Sequence, residues 1–317
     1  MESSADEIIK EIPGFIRVYK DGRYQKLGGT ATVPAGVDPS SGVQSKDVVI
    51  SPDTPLSVRL YIPKPQTPKK LPLLIYFHGG GFIIETAASP IYHSFLNLIA
   101  AESNAVILSV DYRTAPDHPV PACFHDSWEA IMWAALHGSG SGPDPWVNEY
   151  ADLANVFFAG DSAGANIAHH MAIRVGSENP GGGVNLQGVV LLHPYFWGKD
   201  RVGSESDDNP WTSSIADLWK FAHPGTSGVD DPLINPDMDP RVSDLGCSKI
   251  LVYVGEKDIL KDRGWYYKGI LGRNGWRGDI EVIEDEGVDH VYFLFSPYVD
   301  SACTLRTKIC AFINNQA

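Results

Sequence analysis

From Asp47 onward the chain carries two kinds of apolar pattern. Leu56, Val58, Leu60 and Ile62 alternate with their neighbours. With the shorter run Asp47 to Ile50, this predicts half-buried antiparallel strands. Past a Pro-Lys linker the apolar runs become continuous: Leu71 to Phe77, Ala105 to Val110, Val156 to Ala159, Gly188 to Leu192, Ile250 to Val254 and Ile280 to Ile283. Strands apolar on both faces belong in a parallel sheet covered on both sides. Helical stretches separate them, at Tyr92 to Glu102, Ala122 to Leu136, Ala163 to Val175, Leu260 to Leu271 and Ser301 to Ile313. This alternation predicts an α/β fold: a mostly parallel, doubly wound central sheet flanked by helices, antiparallel at its start.

Two segments break the rhythm. Residues 1–45 hold an amphipathic piece near Ile8 to Val18 and a Pro/Gly/Ser loop from Val33 to Ser45. Residues 197–240 hold Trp211, Trp219, Phe221 and several prolines between two core strands. An insertion there covers the carboxyl ends of the strands, where open α/β sheets bind ligands. Both segments are expected to form a lid on one domain spanning 1–317.

With 317 residues and 43% hydrophobic composition the chain can bury a large core. Its net charge of −14 repels nucleic acid and anionic membranes. Cys123, Cys247, Cys303 and Cys310 are scattered, without a CxxC pair, as expected of free thiols in a reducing compartment. The N-terminus lacks an apolar leader, and no apolar run approaches the roughly 18 residues of a membrane span. A cytoplasmic protein is expected; nothing in the pattern speaks to oligomeric state.

The chemistry concentrates where strands meet helices. Gly160-Asp161-Ser162-Ala163-Gly164 is Gly-x-Ser-x-Gly at such a junction, a turn that lifts a serine hydroxyl above the sheet. A serine nucleophile needs a base, and the base an orienting acid, in chain order Ser, acid, His. Among His169, His170, His193, His223 and His290, only His290 follows the last predicted strand. Asp258 ends the preceding strand, with Glu256 as the alternative; Asp285 and Asp289 lie too close to His290 in sequence. His78-Gly79-Gly80-Gly81 follows its own strand, and Gly79, Gly80, Gly81 and Ala163 offer amides for an oxyanion, each donor being worth about 3 kcal/mol. No cofactor and no metal ion is expected.

HGGGF, Asp111-Tyr112-Arg113, GDSAGAN and GxDH, together with stretches such as LHPYFWGK and DDPLINP, make the chain resemble the plant carboxylesterases of the hormone-sensitive-lipase-like α/β-hydrolases. The resemblance implies an α/β-hydrolase fold with the triad Ser162, Asp258 and His290 acting on a small-molecule ester. It implies donors at Gly80, Gly81 and Ala163, with His78 bracing its loop. Thr114 and Asp117 stand where the family more often has Leu and Glu, and Tyr292-Phe293 replaces a frequent Phe-His. Relatives also include hydroxyisoflavanone dehydratases, alkaloid cyclases and gibberellin receptors, so elimination, cyclisation or non-catalytic binding are the alternatives. The receptors lack the histidine present here as His290, and the dehydratases often alter the residues present here as Gly81 and Ser162.

Ile83, Ile84, Tyr195, Phe196, Trp219, Tyr292 and Phe293 are expected to close an apolar pocket, with Ile84, Tyr195, Trp219 and Tyr292 lining it. A methylene that fits gains about 0.8 kcal/mol, while overpacking costs about 1–3 kcal/mol. The balance predicts acyl chains of roughly two to four carbons.

Overall fold

The computed structural model describes residues 6–51, 53–64 and 69–314; the first five residues of the predicted N-terminal segment lie outside the described residues. Three short strands, β1 (Ile8–Ile12), β2 (Ile16–Tyr19) and β3 (Tyr24–Lys26), form an antiparallel meander of their own. Then come β4 (Gln44–Ser51), β5 (Leu56–Ile62), β6 (Leu71–Phe77), α1 (Pro90–Ser103), β7 (Val106–Asp111), α2 (Ala122–Ala135), α3 (Pro145–Tyr150), β8 (Ala151–Asp161), α4 (Ala163–Ser177) and β9 (Leu186–Leu192). The chain continues through α5 (Pro210–Ala222), β10 (Lys249–Gly255), α6 (Lys261–Arg273), β11 (Asp279–Asp285), α7 (Tyr292–Phe295) and α8 (Asp300–Ile313).

The main sheet runs β11-β10-β9-β8-β6-β7-β5-β4. From β11 to β7 all pairings are parallel, and β5 and β4 are antiparallel. The continuous apolar runs are thereby explained. Along β6, Leu73, Ile75 and Phe77 join one buried cluster with residues of α2 and α4, while Leu74 and Tyr76 join another with residues of α1 and α8. Each such side chain, fully buried, contributes about 1.5–3 kcal/mol, so a strand packed on both faces cannot spare polar positions.

The amphipathic N-terminal piece is a hairpin whose turn at Gly14 takes φ 79°. Its third strand is tied to the turn at Thr114 to Asp117: Tyr24 Oη donates to Asp117, and Lys26 Nζ donates to Thr114 Oγ1 at 2.9 Å. Lys10 of β1 lies 5.4 Å from the ring centroid of Phe221 on α5. α5 is the main element of the 197–240 insertion, and the Asn209 side chain caps it by accepting from the Trp211 amide. The meander and α5 therefore meet above the carboxyl ends of the strands.

Candidate active site

Strand β8 stops at Asp161 and α4 starts at Ala163, leaving Ser162 between them at φ 52°, ψ −116°. A serine held at positive φ is strained and survives only where its surroundings impose it. Its amide donates to Leu192 O at 2.9 Å, and its carbonyl accepts from Tyr195 N at 3.0 Å and Asn166 N at 3.2 Å. A Cβ on Gly164 would lie 1.9 Å from Phe77 O, and one on Gly160 2.3 Å from Gly164 O. Both glycines are thus required by how closely the β6 end packs against the elbow.

Asp258 follows β10 and His290 follows β11, as the connection order demands. His290 Nδ1 donates to Asp258 Oδ2 at 2.7 Å, and Asp258 Oδ1 accepts the Leu260 amide at 2.9 Å. A second ring is present: His193 Nδ1 meets the same Oδ2 at 2.8 Å. Burial would raise the Asp258 carboxyl, but His290 and His193 together hold it well below the usual carboxylate range. Burial opposes protonation of His290, yet Asp258, with Asp161 and Asp289, outweighs it and the net shift is upward. Among the described residues, His193, Asp258 and His290 form the only cluster with three metal-capable side chains. Both Nδ1 atoms in it are spent on the carboxylate, which is the donor set of a hydrogen-bonded relay.

The HGGG loop leans on groups that sequence reasoning missed. Asp161, buried within the Gly-x-Ser-x-Gly motif, accepts from Tyr76 Oη at 2.8 Å, Tyr92 Oη at 2.9 Å and the Gly79 amide at 3.1 Å. Burial lifts its carboxyl to about 6 against the pull of these donors. Tyr112 stacks on His78 at 4.1 Å and donates to His78 O, and His78 Nδ1 donates to Gly79 O at 2.9 Å. Burial depresses His78 to about 4, so it is a neutral brace. Gly79 must be corrected as an oxyanion donor, because its N–H is already given to Tyr92 Oη, at 2.8 Å, and to Asp161. Gly80 and Gly81, at φ 93° and 62°, and Ala163 keep amides that bond to no other described residue.

Ser162, Asp258 and His290 line one cavity of about 360 Å³. Its other walls come from Phe15 and Ile12 of the N-terminal segment and from Trp211, Ile215 and Leu218 of α5. Phe15 and Leu218 press directly on the HGGG loop, since a Cβ on Gly81 would lie 2.9 Å from each. Of the four expected pocket residues only Tyr195 faces this cavity. Trp219 is fully buried against Phe82 and donates its Nε1–H to Thr226 Oγ1 at 2.9 Å. Tyr292 packs on His193 and donates to Asp285 at 2.5 Å. Ile84 lies under the loop, its carbonyl against Gly80. Ile83, Phe196 and Phe293 are likewise core. Bulk alone singled these residues out, and bulk does not separate a wall from a foundation.

The remaining sequence candidates sit elsewhere. His169 pairs with Tyr267 Oη at 2.9 Å, His170 with Leu233 O at 3.1 Å, and His223 lies 3.7 Å from Asp231. Glu256 accepts the Gly287 amide at 2.7 Å. Positive φ at non-glycine residues clusters at the site, at Phe82, Glu85, Ser162, His193 and Val291, with Asn104 the one instance elsewhere among the described residues. Backbone strain of that kind concentrates at functional centres.

Comparison with known proteins agrees with this architecture. The family described as alpha/beta hydrolase fold matches residues 74–294. A probable carboxylesterase 4, mitochondrial, of Arabidopsis thaliana is 45% identical over 98% of this chain and 84% of its own length. A 2-hydroxyisoflavanone dehydratase of Glycyrrhiza echinata is 40% identical over 98% of both chains. The solved structure of a Pyrobaculum calidifontis esterase superposes with a TM-score of 0.69 at 26% identity, covering 86% of this chain and 85% of its own. The chain belongs to the α/β-hydrolase family, among its plant carboxylesterase members. Among the described residues no helix is long and apolar enough to cross a membrane.

Proposed function

We propose that this hydrolase cleaves short-chain carboxylic esters through an acyl-enzyme on Ser162. His290 gives its Nδ1–H to Asp258, so Nε2 is left to take the Ser162 proton. Ser162 Oγ attacks the carbonyl carbon, and the oxyanion receives the amides of Gly80, Gly81 and Ala163. Collapse of the tetrahedral adduct expels the alcohol, which takes its proton from His290. Water, deprotonated by His290, then releases the acid and restores Ser162. The N-terminal segment 1–45 and the insertion 197–240 act as a lid of one domain, supported by Phe15 and Leu218 resting on Gly81. A cytoplasmic location belongs to the same reading and rests on the scattered free cysteines; imaging of a tagged full-length chain tests it.

The observation that carries the proposal is that a strained serine and a histidine bonded to a buried carboxylate line one cavity, while the Ala163 amide, next to that serine in the chain, bonds to no other described residue. The test compares wild type with Ser162→Ala. Wild type should label stoichiometrically with a fluorophosphonate and turn over p-nitrophenyl acetate. The variant should not label and should lose roughly four to six orders of magnitude in kcat. Retention of most turnover by a folded variant rules the assignment out. The dehydratase relative motivates a second reading, in which the same donors stabilise an enolate during elimination. Turnover of a hydroxylated flavonoid, with none of any simple ester, favours it.

A further inference from the structure

Asp258 Oδ2 accepts two imidazole N–H groups where a triad needs one. The extra donor, His193, follows β9 at φ 48° and is anchored by its amide, which donates to Tyr253 O at 2.7 Å. Its ring is wholly buried, stands edge-on to His290 at 5.6 Å and packs on Tyr292 and Phe293. Its Nε2 is buried with no hydrogen-bond partner. A second proton there would place an N–H in apolar surroundings with no acceptor, which is costly. The ring is therefore neutral, its single proton on Nδ1, pointing at Asp258. The side chain of His290, by contrast, is 33% exposed and faces the cavity.

We infer that His193 is a positioning residue: by sharing Asp258 Oδ2 with His290 it aims the carboxylate and limits how far that carboxylate raises the proton affinity of His290. The inference rests on the hydrolytic reading above. A lone pair committed to a neutral donor presents less negative charge to the neighbouring imidazole. Without that donor, His290 binds its proton more tightly and is a free base over a narrower pH range. Other charges facing His290 are Asp161 at the end of β8, adjacent Asp289, and Lys257 on the cavity wall; Asp285 and Tyr292 face His193. All of them stay in place in the variants below.

His193→Gly keeps the left-handed backbone and removes the donor. His193→Asn keeps both the backbone preference and a side-chain N–H near the position of Nδ1. Should glycine prevent folding, His193→Leu removes the donor while filling the space. We expect the acidic limb of kcat/KM to move up by about one pH unit in the glycine variant, with kcat near neutrality falling about tenfold, the scale of one hydrogen bond to a charge. Asparagine should restore most of both. Proton NMR of the wild type should show two low-field imidazole N–H signals, and the glycine variant one. An unmoved limb in the variants without a donor, or an asparagine variant no better than them, overturns the inference. Full turnover by Ser162→Ala would instead defeat the hydrolytic reading. The NMR signals report the shared carboxylate independently of turnover, and a single signal in wild type overturns the inference in either case.

Discussion

Replacing Asp161 with alanine separates the two things that this buried carboxyl does. It is the acceptor for the Tyr76 and Tyr92 hydroxyls and one of two acceptors for the Gly79 amide. Its loss leaves two buried phenol donors without partners, at about 1–3 kcal/mol each, or about 2–6 kcal/mol together. The Gly79 amide keeps Tyr92 Oη. Against this, burial lifts the Asp161 carboxyl from 3.8 to about 6, so ionising it burdens the folded state. A difference of 6 − 3.8 = 2.2 units corresponds to about 3 kcal/mol. The sign follows from proton counting: between these values the folded chain holds the proton more often than the unfolded chain, so wild type loses this stability as pH rises from about 4 to about 6. Asp161→Ala has no such dependence. Its destabilisation should therefore be larger at pH 4.5 than at pH 7.5, by about 2 kcal/mol of that total. Urea denaturation of both proteins at the two pH values measures it. Activity reports the loop: a displaced Gly80-Gly81 segment should lower kcat on p-nitrophenyl butyrate by about 10²-fold, as small misplacements do. Equal destabilisation at both pH values would refute the charge argument, and an unchanged kcat would refute the bracing argument.

The elbow glycine and the cavity walls give two further expectations. Gly164→Ala places a methyl 1.9 Å from Phe77 O and 2.5 Å from His78 O, both backbone. It should abolish soluble expression or lower the midpoint of thermal unfolding by well over 10 °C; a wild-type melting curve would show that β6 and α4 are not so tightly apposed. In the p-nitrophenyl series from acetyl through butyryl and octanoyl to palmitoyl, kcat/KM should peak at roughly two to four carbons. Leu218→Ala should move the optimum to longer chains, and a steady rise through palmitoyl in wild type contradicts a cavity closed by Phe15 and Leu218.

Most of the fold is legible in the sequence because burial on both faces writes itself as an unbroken apolar run. Leu71 to Phe77 reads as one strand and is one. The N-terminal meander shows in the sequence only as an amphipathic piece near Ile8 to Val18, because β1 is exposed at four of its five positions and writes no apolar run that marks separate strands. Nor is α5, which starts at a proline among Asp and Asn residues and takes its place from packing against β1 and Phe82.

At the site, the sequence alone determined what the backbone needs locally. Gly160, Gly164, Gly80 and Gly81 are glycines because of close approach or positive φ, and Ser162, Asp258 and His290 follow strands in an order that the motif already implies. Where each polar group points was decided by tertiary structure. Gly79 and Gly80 are identical letters in one run, yet the Gly79 amide is taken by Asp161 and Tyr92, which arrive from β8 and α1. His193 reads as a strand end before a proline, and its bond to Asp258 spans 65 residues. Trp219 and Leu218 are adjacent apolar residues on one helix, but one is core and the other is cavity wall. A hydrogen bond or a cavity wall depends on two groups brought together from distant parts of the chain, and their distance is set only once the sheet has ordered its strands.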